Sequence, residues 1–198
     1  MSMTKEKIAS QALIRLGATP ITSFTANTRE ASEVSTMYDT VKESLFSYAN
    51  WNFATKKVAL AQLSETILDK RYTKVYALPS SIVKVVGLFD ANGFYDTEYS
   101  IENNKVYTTL GNANLAYIEQ QAEADFPAFF SEVLVAKLAF EMSEAITGIG
   151  SIHERLYQEF QQKLRQARIS DGQENPPSSI IGTGSLIRAH QGQYIVRS

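Results

Sequence analysis

Two histidines are the first side chains to consider for catalysis, because imidazole titrates near neutral pH and is a common metal ligand. His153 falls in the first turn of a predicted helix, and His190 lies in the C-terminal segment. The chain contains no HExxH motif, and the two histidines lack the spacing of a metal-ligand pair. Cysteine is absent, which excludes thiolate catalysis and cysteine-based zinc sites. We therefore predict no catalytic residue, no metal site and no cofactor.

Two short loops resemble ligand-binding loops without completing the pattern. The segment Gly182–Ser185 is similar to a phosphate loop, but it lacks the Walker lysine and a strand-to-helix context. We interpret it as a flexible hinge. The segment Asp90–Gly93 begins like a calcium loop, yet Tyr95 stands at the sixth position, where an EF-hand needs glycine. We interpret it as the turn of a β-hairpin.

Carboxylates occur in pairs with helical spacing, as acid catalysis would need. Glu141 and Glu144, three residues apart, lie on one face of a strongly apolar helix, and Asp39 and Glu43, four residues apart, share a face of an earlier one. A buried Glu141 or Glu144 with a raised pKa would serve as a general acid. The alternative, which we favour, is a carboxylate that faces a neighbouring subunit.

The basic residues give little support to nucleic-acid binding. Lys56–Lys57 and the pair Arg165 and Arg168 are small patches without interleaved aromatic side chains, so we predict solvated surfaces. The formal net charge of -2 provides no general attraction to nucleic acid or to an anionic membrane. A helical nucleic-acid regulator is disfavoured for the same reasons.

Helical periodicity predicts the elements that must position these side chains. Gly17 should end the first helix, and Asn27 with Glu30 should cap the second. The third, with Asp125 as its cap, is apolar nearly all round and belongs in the centre of a core. Ser151 and Glu154 predict a capping box for the fourth. The helices are predicted at about 4–16, 28–50, 126–147 and 151–169.

Between the second and third helices the pattern changes to short extended segments. Ile82–Phe89 is rich in β-branched residues, and Asn92–Gly93 is a strong hairpin signal. Further turns at Asn103–Asn104 and Gly111–Asn112 complete a predicted antiparallel meander over about 74–120. Strands segregated from helices indicate an α+β fold. We expect mainly a helical bundle with this small meander inserted and an extended C-terminal arm.

The arm, residues 172–198, combines helix breakers with spaced apolar groups. Pro176–Pro177 stops a helix, whereas a disordered linker would stay polar throughout. The simplest interpretation is an arm that docks on a partner; the alternative is a tail that folds back as edge strands on its own domain. Fully extended, it reaches on the order of 80 Å at about 3.3 Å per residue. The predicted partner contacts are Ile180, Ile181, Leu186, Ile187, Arg188, Tyr194, Ile195, Val196 and Arg197.

The remaining 1–171 are long enough for one folded domain. At that size about two-thirds of the extended surface is buried. The N-terminus lacks the uninterrupted apolar stretch of a signal peptide, and no run approaches the roughly 20 apolar residues of a membrane span. We expect a soluble protein that is made in, and retained by, the producing cell.

Five features of the chain occur in a characteristic order and spacing: Ala12–Ile21, Glu33–Tyr48, Trp51–Ala54, Tyr76–Pro79 and the two late helices. This order resembles the head-to-tail adaptors of short-tailed bacteriophages, the tail tubular protein A-like family. The match covers essentially the whole chain and rests on order and spacing. One departure is Ser81, where the family often has an acidic residue.

The resemblance implies a virion protein without enzymatic activity that is made in the host cytoplasm. It implies an adaptor domain at 1–171 and a ring, of twelve copies, that joins the portal to the tail nozzle around the DNA channel. The arm would dock on the portal protein, and the meander would face the nozzle or the tail fibres. Within the ring, the exposed sides of the second and last helices are the candidate contacts between copies.

A different class of function stays open on the residues alone. A small enzyme or ligand-binding protein would use a pocket between the meander and the late helices, near Tyr99, Tyr107, Tyr117 and Glu141. A deep apolar pocket with converging polar groups would favour that alternative, whereas a wedge-shaped subunit poor in pockets would favour the connector.

Overall fold

The computed structural model describes residues 3–174, and within that range the chain is a mixed α+β protein. The predicted fold class is therefore confirmed. The four helices of this part are α1 (Lys5–Arg15), α2 (Arg29–Tyr48), α3 (Ala128–Thr147) and α4 (Gly150–Glu174). The strands are β1 (Thr55–Ala59), β2 (Lys74–Ala77), β3 (Ile82–Phe89), β4 (Tyr95–Asp96), β5 (Ser100–Glu102), β6 (Lys105–Thr108) and β7 (Asn114–Glu119).

Two of the predicted helix caps are wrong by one or more residues. The cap of α2 is Thr28, whose hydroxyl accepts a hydrogen bond from the Ala31 amide at 3.2 Å, and not Asn27. Threonine performs this role almost as well as asparagine, so the sequence did not separate them. Asp125 does not cap α3, because Pro127 restricts Phe126 to the extended backbone conformation and the helix begins only after the proline.

The start and end of α4 also differ from the prediction. Gly148 adopts the left-handed conformation, with φ 65°, and ends α3 as expected. The next helix begins at Gly150, so Ser151 lies inside its first turn and does not cap it. The helix then continues to Glu174, five residues beyond the predicted end at 169, and includes Gly172.

Helix α3 is the centre of the helical part, as its all-round apolar sequence predicts. It packs against α1, α2 and α4. The aromatic cluster after α2 closes one end of this core, because Trp51 is fully buried, edge-on to Phe130 and near-parallel to Phe129. The Trp51 indole also donates to the Leu45 carbonyl at 2.9 Å, which satisfies its one polar group. Among residues 3–174 no helix combines the length and apolarity needed to cross a bilayer.

The strands form two antiparallel sheets, so the single predicted meander is wrong in its pairing. In the described chain the orders are β1-β7-β3-β4 and β2-β6-β5. The hairpin at Asn92–Gly93 and the turn at Asn103–Asn104 occur where predicted. After Gly111–Asn112, however, β7 leaves β6 and pairs with β3 and β1. The four central residues of β7 are buried, and a strand of that kind is stable with a partner on each edge.

Candidate functional site

A groove runs along α2 beside Lys137 and Glu141 of α3, with a volume of about 470 Å³. Its α2 wall repeats at helical spacing from Thr36 to Tyr48, about 18 Å at 1.5 Å per residue. Tyr48 is half exposed, and its ring meets Phe160 of α4 edge-on at 6.0 Å. The lining residues are Thr36, Met37, Thr40, Val41, Ser44, Tyr48, Lys137 and Glu141.

A buried lysine forms part of the groove wall. Lys137 is 5% exposed, and its ammonium lies 2.8 Å from a carboxylate oxygen of Glu141, one helical turn later. The same nitrogen lies 5.4 Å from the Tyr48 ring centroid and 5.6 Å from that of Phe160. The carboxylate and the two aromatic faces together compensate the charge for its lost hydration. The sequence analysis did not identify Lys137; its signal is a lysine on an all-apolar helix with a glutamate four residues on.

The C-terminal end of α4 is tied to the rest of the domain by Asp171, another residue that the sequence analysis missed. The Asp171 carboxylate is buried and accepts the Asn52 amide at 2.9 and 3.1 Å. The Asn52 side chain donates in turn to the Asp171 carbonyl at 2.8 Å. The available signal was an acidic residue continuing the buried stripe of Leu164 and Ala167. This end of α4 is therefore fixed on the domain.

The sequence-predicted acid candidates are not placed for catalysis. Glu141 is paired with Lys137, and Glu144 is exposed, so neither is a buried acid. Asp39 is exposed and lies 3.2 Å from Lys5.

His153 is held as a structural side chain. Its Nδ1 lies 2.7 Å from the hydroxyl of the buried Ser143, and its ring lies against Phe140. That hydroxyl also donates to the Phe140 carbonyl at 2.6 Å, so it is not presented to a substrate. Within residues 3–174 no cluster of histidine and carboxylate side chains is arranged to hold a metal ion.

The charged groups of the sheets serve local structure. Asp90 accepts hydrogen bonds from the Phe94 and Asn92 amides, which fixes the predicted hairpin turn and lowers the pKa of its carboxyl. Lys56 forms an ion pair with Glu119, and this contact together with the Ser81 hydroxyl holds the pKa of the Glu119 carboxyl below its usual value. Asp90 and Glu119 therefore stabilise the fold of the sheets.

Burial also affects one phenol on the opposite side of α2 from the groove. Burial and the nearby Glu123 carboxylate raise the pKa of the Tyr38 phenol far above its ordinary value. Its hydroxyl lies 3.3 Å from Glu123, which also receives the Lys42 ammonium at 3.0 Å. A phenol held protonated in this way contributes a hydrogen bond to the fold.

The pocket predicted between the meander and the late helices is not assembled from its four residues. Glu141 lines the groove on α2, whereas Tyr99 and Tyr107 line two separate depressions on the sheets. Tyr117 is 6% exposed within β7. The depression lined by Tyr99 has a volume of about 540 Å³, similar to that of the groove. The position of the groove on the helices suits a protein contact.

The predicted arm contacts, from Ile180 to Arg197, and with them His190 and Gly182–Ser185, lie outside the described residues. Arg165 and Arg168 are exposed on α4 beside Ile169, which is 62% exposed. No protein-family model matches this chain, and no curated protein matches it significantly.

Proposed function

We propose that this protein is a structural head-to-tail connector of a short-tailed bacteriophage. In this proposal a ring of copies joins the portal to the tail nozzle, surrounds the DNA channel and takes part in DNA ejection. The observation that carries the proposal is the anchored end of α4. Asp171 binds Asn52, which fixes the end of α4 on the domain, and the sequence that follows Glu174 carries spaced apolar side chains.

The chemistry of that segment supports docking on a protein. Nine apolar or basic side chains are spaced along it, and the proposed contacts with the portal are those predicted above, Ile180 to Arg197. Ordering the backbone of a single arm costs conformational entropy, so the contact of one arm with the portal is weak. In a ring, the first docked arms hold their neighbours at high effective concentration, and the sum becomes strong. The net charge of -2 suits a channel through which DNA slides without sticking.

The test is to mix the protein with the portal protein from the same genome and to image the mixture by negative-stain electron microscopy. We expect closed rings stacked on the portal. Bare portals beside free particles, across a range of salt and protein concentration, would contradict the connector function.

Deletion of Pro176–Ser198 examines the arm itself. The truncated chain should keep its circular dichroism and melting temperature, because all the described helices and strands lie before residue 175. It should lose portal binding. The paired substitutions Leu186→Ser and Ile187→Ser should weaken binding in the full-length arm, whereas Gln191→Ala and Gln193→Ala serve as the control. Unfolding of the truncated chain would show that the arm belongs to the core.

A further inference from the structure

The depression lined by Tyr99 lies at one end of the three-stranded sheet β2-β6-β5. Tyr72 lies just before β2, Tyr99 directly precedes β5, and Thr109 directly follows the central strand β6. Because β2 and β5 both run antiparallel to β6, these three positions meet at the same end of the sheet. The lining residues are Arg71, Tyr72, Thr97, Glu98, Tyr99 and Thr109.

Tyr72 is shared between this depression and a second, smaller one of about 170 Å³. The second recess also contains Tyr107 of β6, whose ring centroid lies 6.5 Å from that of Tyr72. Tyr72, Tyr99 and Tyr107 are all half-buried, so each ring is held by the fold and keeps part of its surface open. Two recesses that share one aromatic wall suit a ligand built of repeated units.

The loop between β4 and β5 presents polar groups to the larger depression from a fixed backbone. The Glu98 amide donates to the Asp96 carboxylate at 2.9 Å, and that carboxylate also accepts the hydroxyl of the buried Thr108 at 2.8 Å. Glu98 itself is exposed, and within residues 3–174 its carboxylate has no ion-pair partner. The carboxylate therefore remains available to hydroxyl groups of a ligand, as do the exposed Thr97 and Thr109 side chains.

Arg71 adds a second flat polar group without adding net positive charge. Its guanidinium donates to the Asp69 carboxylate from Nε at 3.0 Å and from Nη2 at 2.6 Å. It also lies 5.4 Å from the centroid of the Tyr72 ring, which fixes its plane further. Asp69 balances the charge of Arg71, and Glu98 leaves the surroundings slightly acidic. The depression therefore favours a neutral ligand over a phosphate or another anion.

We propose that this depression binds a neutral oligosaccharide, with its sugar rings against Tyr72 and Tyr99 and its hydroxyls hydrogen-bonded to Glu98 and Arg71. A pyranose ring has a face of C–H groups, which an aromatic face attracts, and a rim of hydroxyls. Carboxylate and guanidinium groups each offer two parallel polar atoms, which match a pair of neighbouring hydroxyls. The recess beyond Tyr72 would receive the next sugar unit. One chain builds the whole depression, so binding there requires neither the ring nor the arm of the proposed connector.

The test is titration of the full-length protein with three neutral trisaccharides, maltotriose, cellotriose and tri-N-acetylchitotriose, followed by saturation-transfer NMR and calorimetry. A heparin tetrasaccharide is the anionic probe. We expect saturable binding of at least one neutral probe and none of the anionic one. Tyr72→Ala and Tyr99→Ala should each weaken binding at least about tenfold, because a stacking ring is lost. Tyr72→Phe keeps the ring and should stay within about threefold of the unmodified protein.

Two exposed positions keep the test independent of folding. Glu98→Gln preserves the shape of the side chain and removes its charge, so it should weaken binding about tenfold. The control Tyr157→Ala removes a tyrosine that is 39% exposed on α4, away from the sheets, and should leave binding unchanged. Circular dichroism of each variant identifies any that unfolds, and Glu98→Gln decides the result if a tyrosine variant does.

The remaining outcomes would each overturn the proposed site or its ligand. Absence of saturable binding by all three neutral probes would remove the site. Binding that survives Tyr72→Ala, Tyr99→Ala and Glu98→Gln, or that Tyr157→Ala weakens equally, would place the sugar elsewhere. Tighter binding of the heparin tetrasaccharide than of any neutral probe would refute the neutral ligand.

Discussion

Loss of the Asp171 carboxylate tests whether the end of α4 is anchored. In Asp171→Ala the Asn52 amide loses an acceptor at 2.9 Å, and the Phe53 amide loses a longer contact at 3.5 Å. A hydrogen bond to a charged acceptor contributes about 1.5–3 kcal/mol, and Asn52 is only partly buried, so we expect a loss of about 2 kcal/mol. For a chain of this size that corresponds to a decrease in melting temperature of about 4–8 °C.

The isosteric variant refines the prediction. Asp171→Asn keeps one acceptor oxygen and loses the charge, so its free energy of unfolding should fall by about half as much as that of the alanine variant. Gln166→Ala, at an exposed position on the same helix, should stay within about 0.5 kcal/mol of the unmodified protein. The measurement is thermal unfolding followed by circular dichroism at 222 nm, a wavelength that is sensitive to helix content. The transition to compare between variants is the unfolding of the whole domain.

Limited trypsin digestion reports on the same anchor locally. If the last turns of α4 open more often without Asp171, cleavage after Arg168 should accelerate under native conditions, because proteolysis follows the population of the open form. An alanine variant that melts within about 1 °C of the unmodified protein and is cut at the same rate would refute the anchor. Water would then replace the carboxylate, and the arm would have no fixed origin.

Two further predictions address the core and the sheets. Phe130→Ala should destabilise the domain by about 3–5 kcal/mol in denaturant unfolding, because Phe130 is fully buried against Phe46 and Trp51; a loss below about 1 kcal/mol would contradict the packing. The lowered pKa of Glu119 contributes stability that is present above its unfolded value of 4.5 and is lost as pH falls through the folded pKa. Glu119→Gln should therefore flatten the decline of melting temperature below pH 4.5, and an unchanged decline would show that the Lys56 contact contributes nothing.

The helices were predictable because their signals are periodic and local. The stripe of α2 and the all-round apolar sequence of α3 specify which faces are buried, and Gly17 and Gly148 end helices in the left-handed conformation that glycine favours. The caps were less predictable, because adjacent residues such as Asn27 and Thr28 are chemically equivalent for that role. The choice depends on where the chain enters the helix, which is set by packing.

The pairing of the strands could not be predicted from local sequence signals. The turn at Gly111–Asn112 was placed correctly, but a turn does not determine the partner of the strand that follows. The long-range pairing of β7 with β1 joins residues about 60 positions apart, such as Thr55 and Ile118. It is stabilised by burial of both faces of β7, which depends on the helices and on β3. Such pairings cost loop-closure entropy, and they cannot be derived from the spacing of turn residues.

The candidate site could be predicted only in part from the sequence, because part of it depends on contacts between helices. The sequence indicated that α2 and α4 would present exposed sides, and it identified Glu141 as a carboxylate on an apolar helix. It did not indicate Lys137, because a single lysine within an apolar stripe is normally expected to reach solvent along its own stem. The aromatic faces of Tyr48 and Phe160, contributed by two other helices, are what make the buried position acceptable.

The predicted arm implies an order of assembly for the proposed connector. A single arm loses conformational entropy when it docks, so one contact between a free subunit and the portal should be weak. Arms docked on a symmetric portal would hold neighbouring copies side by side, which raises the effective concentration of any lateral contact between them. Loss of the arm should therefore prevent ring formation, whereas loss of a lateral contact should leave individual subunits tethered to the portal. That asymmetry follows because each copy would reach the portal through its own arm, while lateral contacts form only between copies that are already side by side.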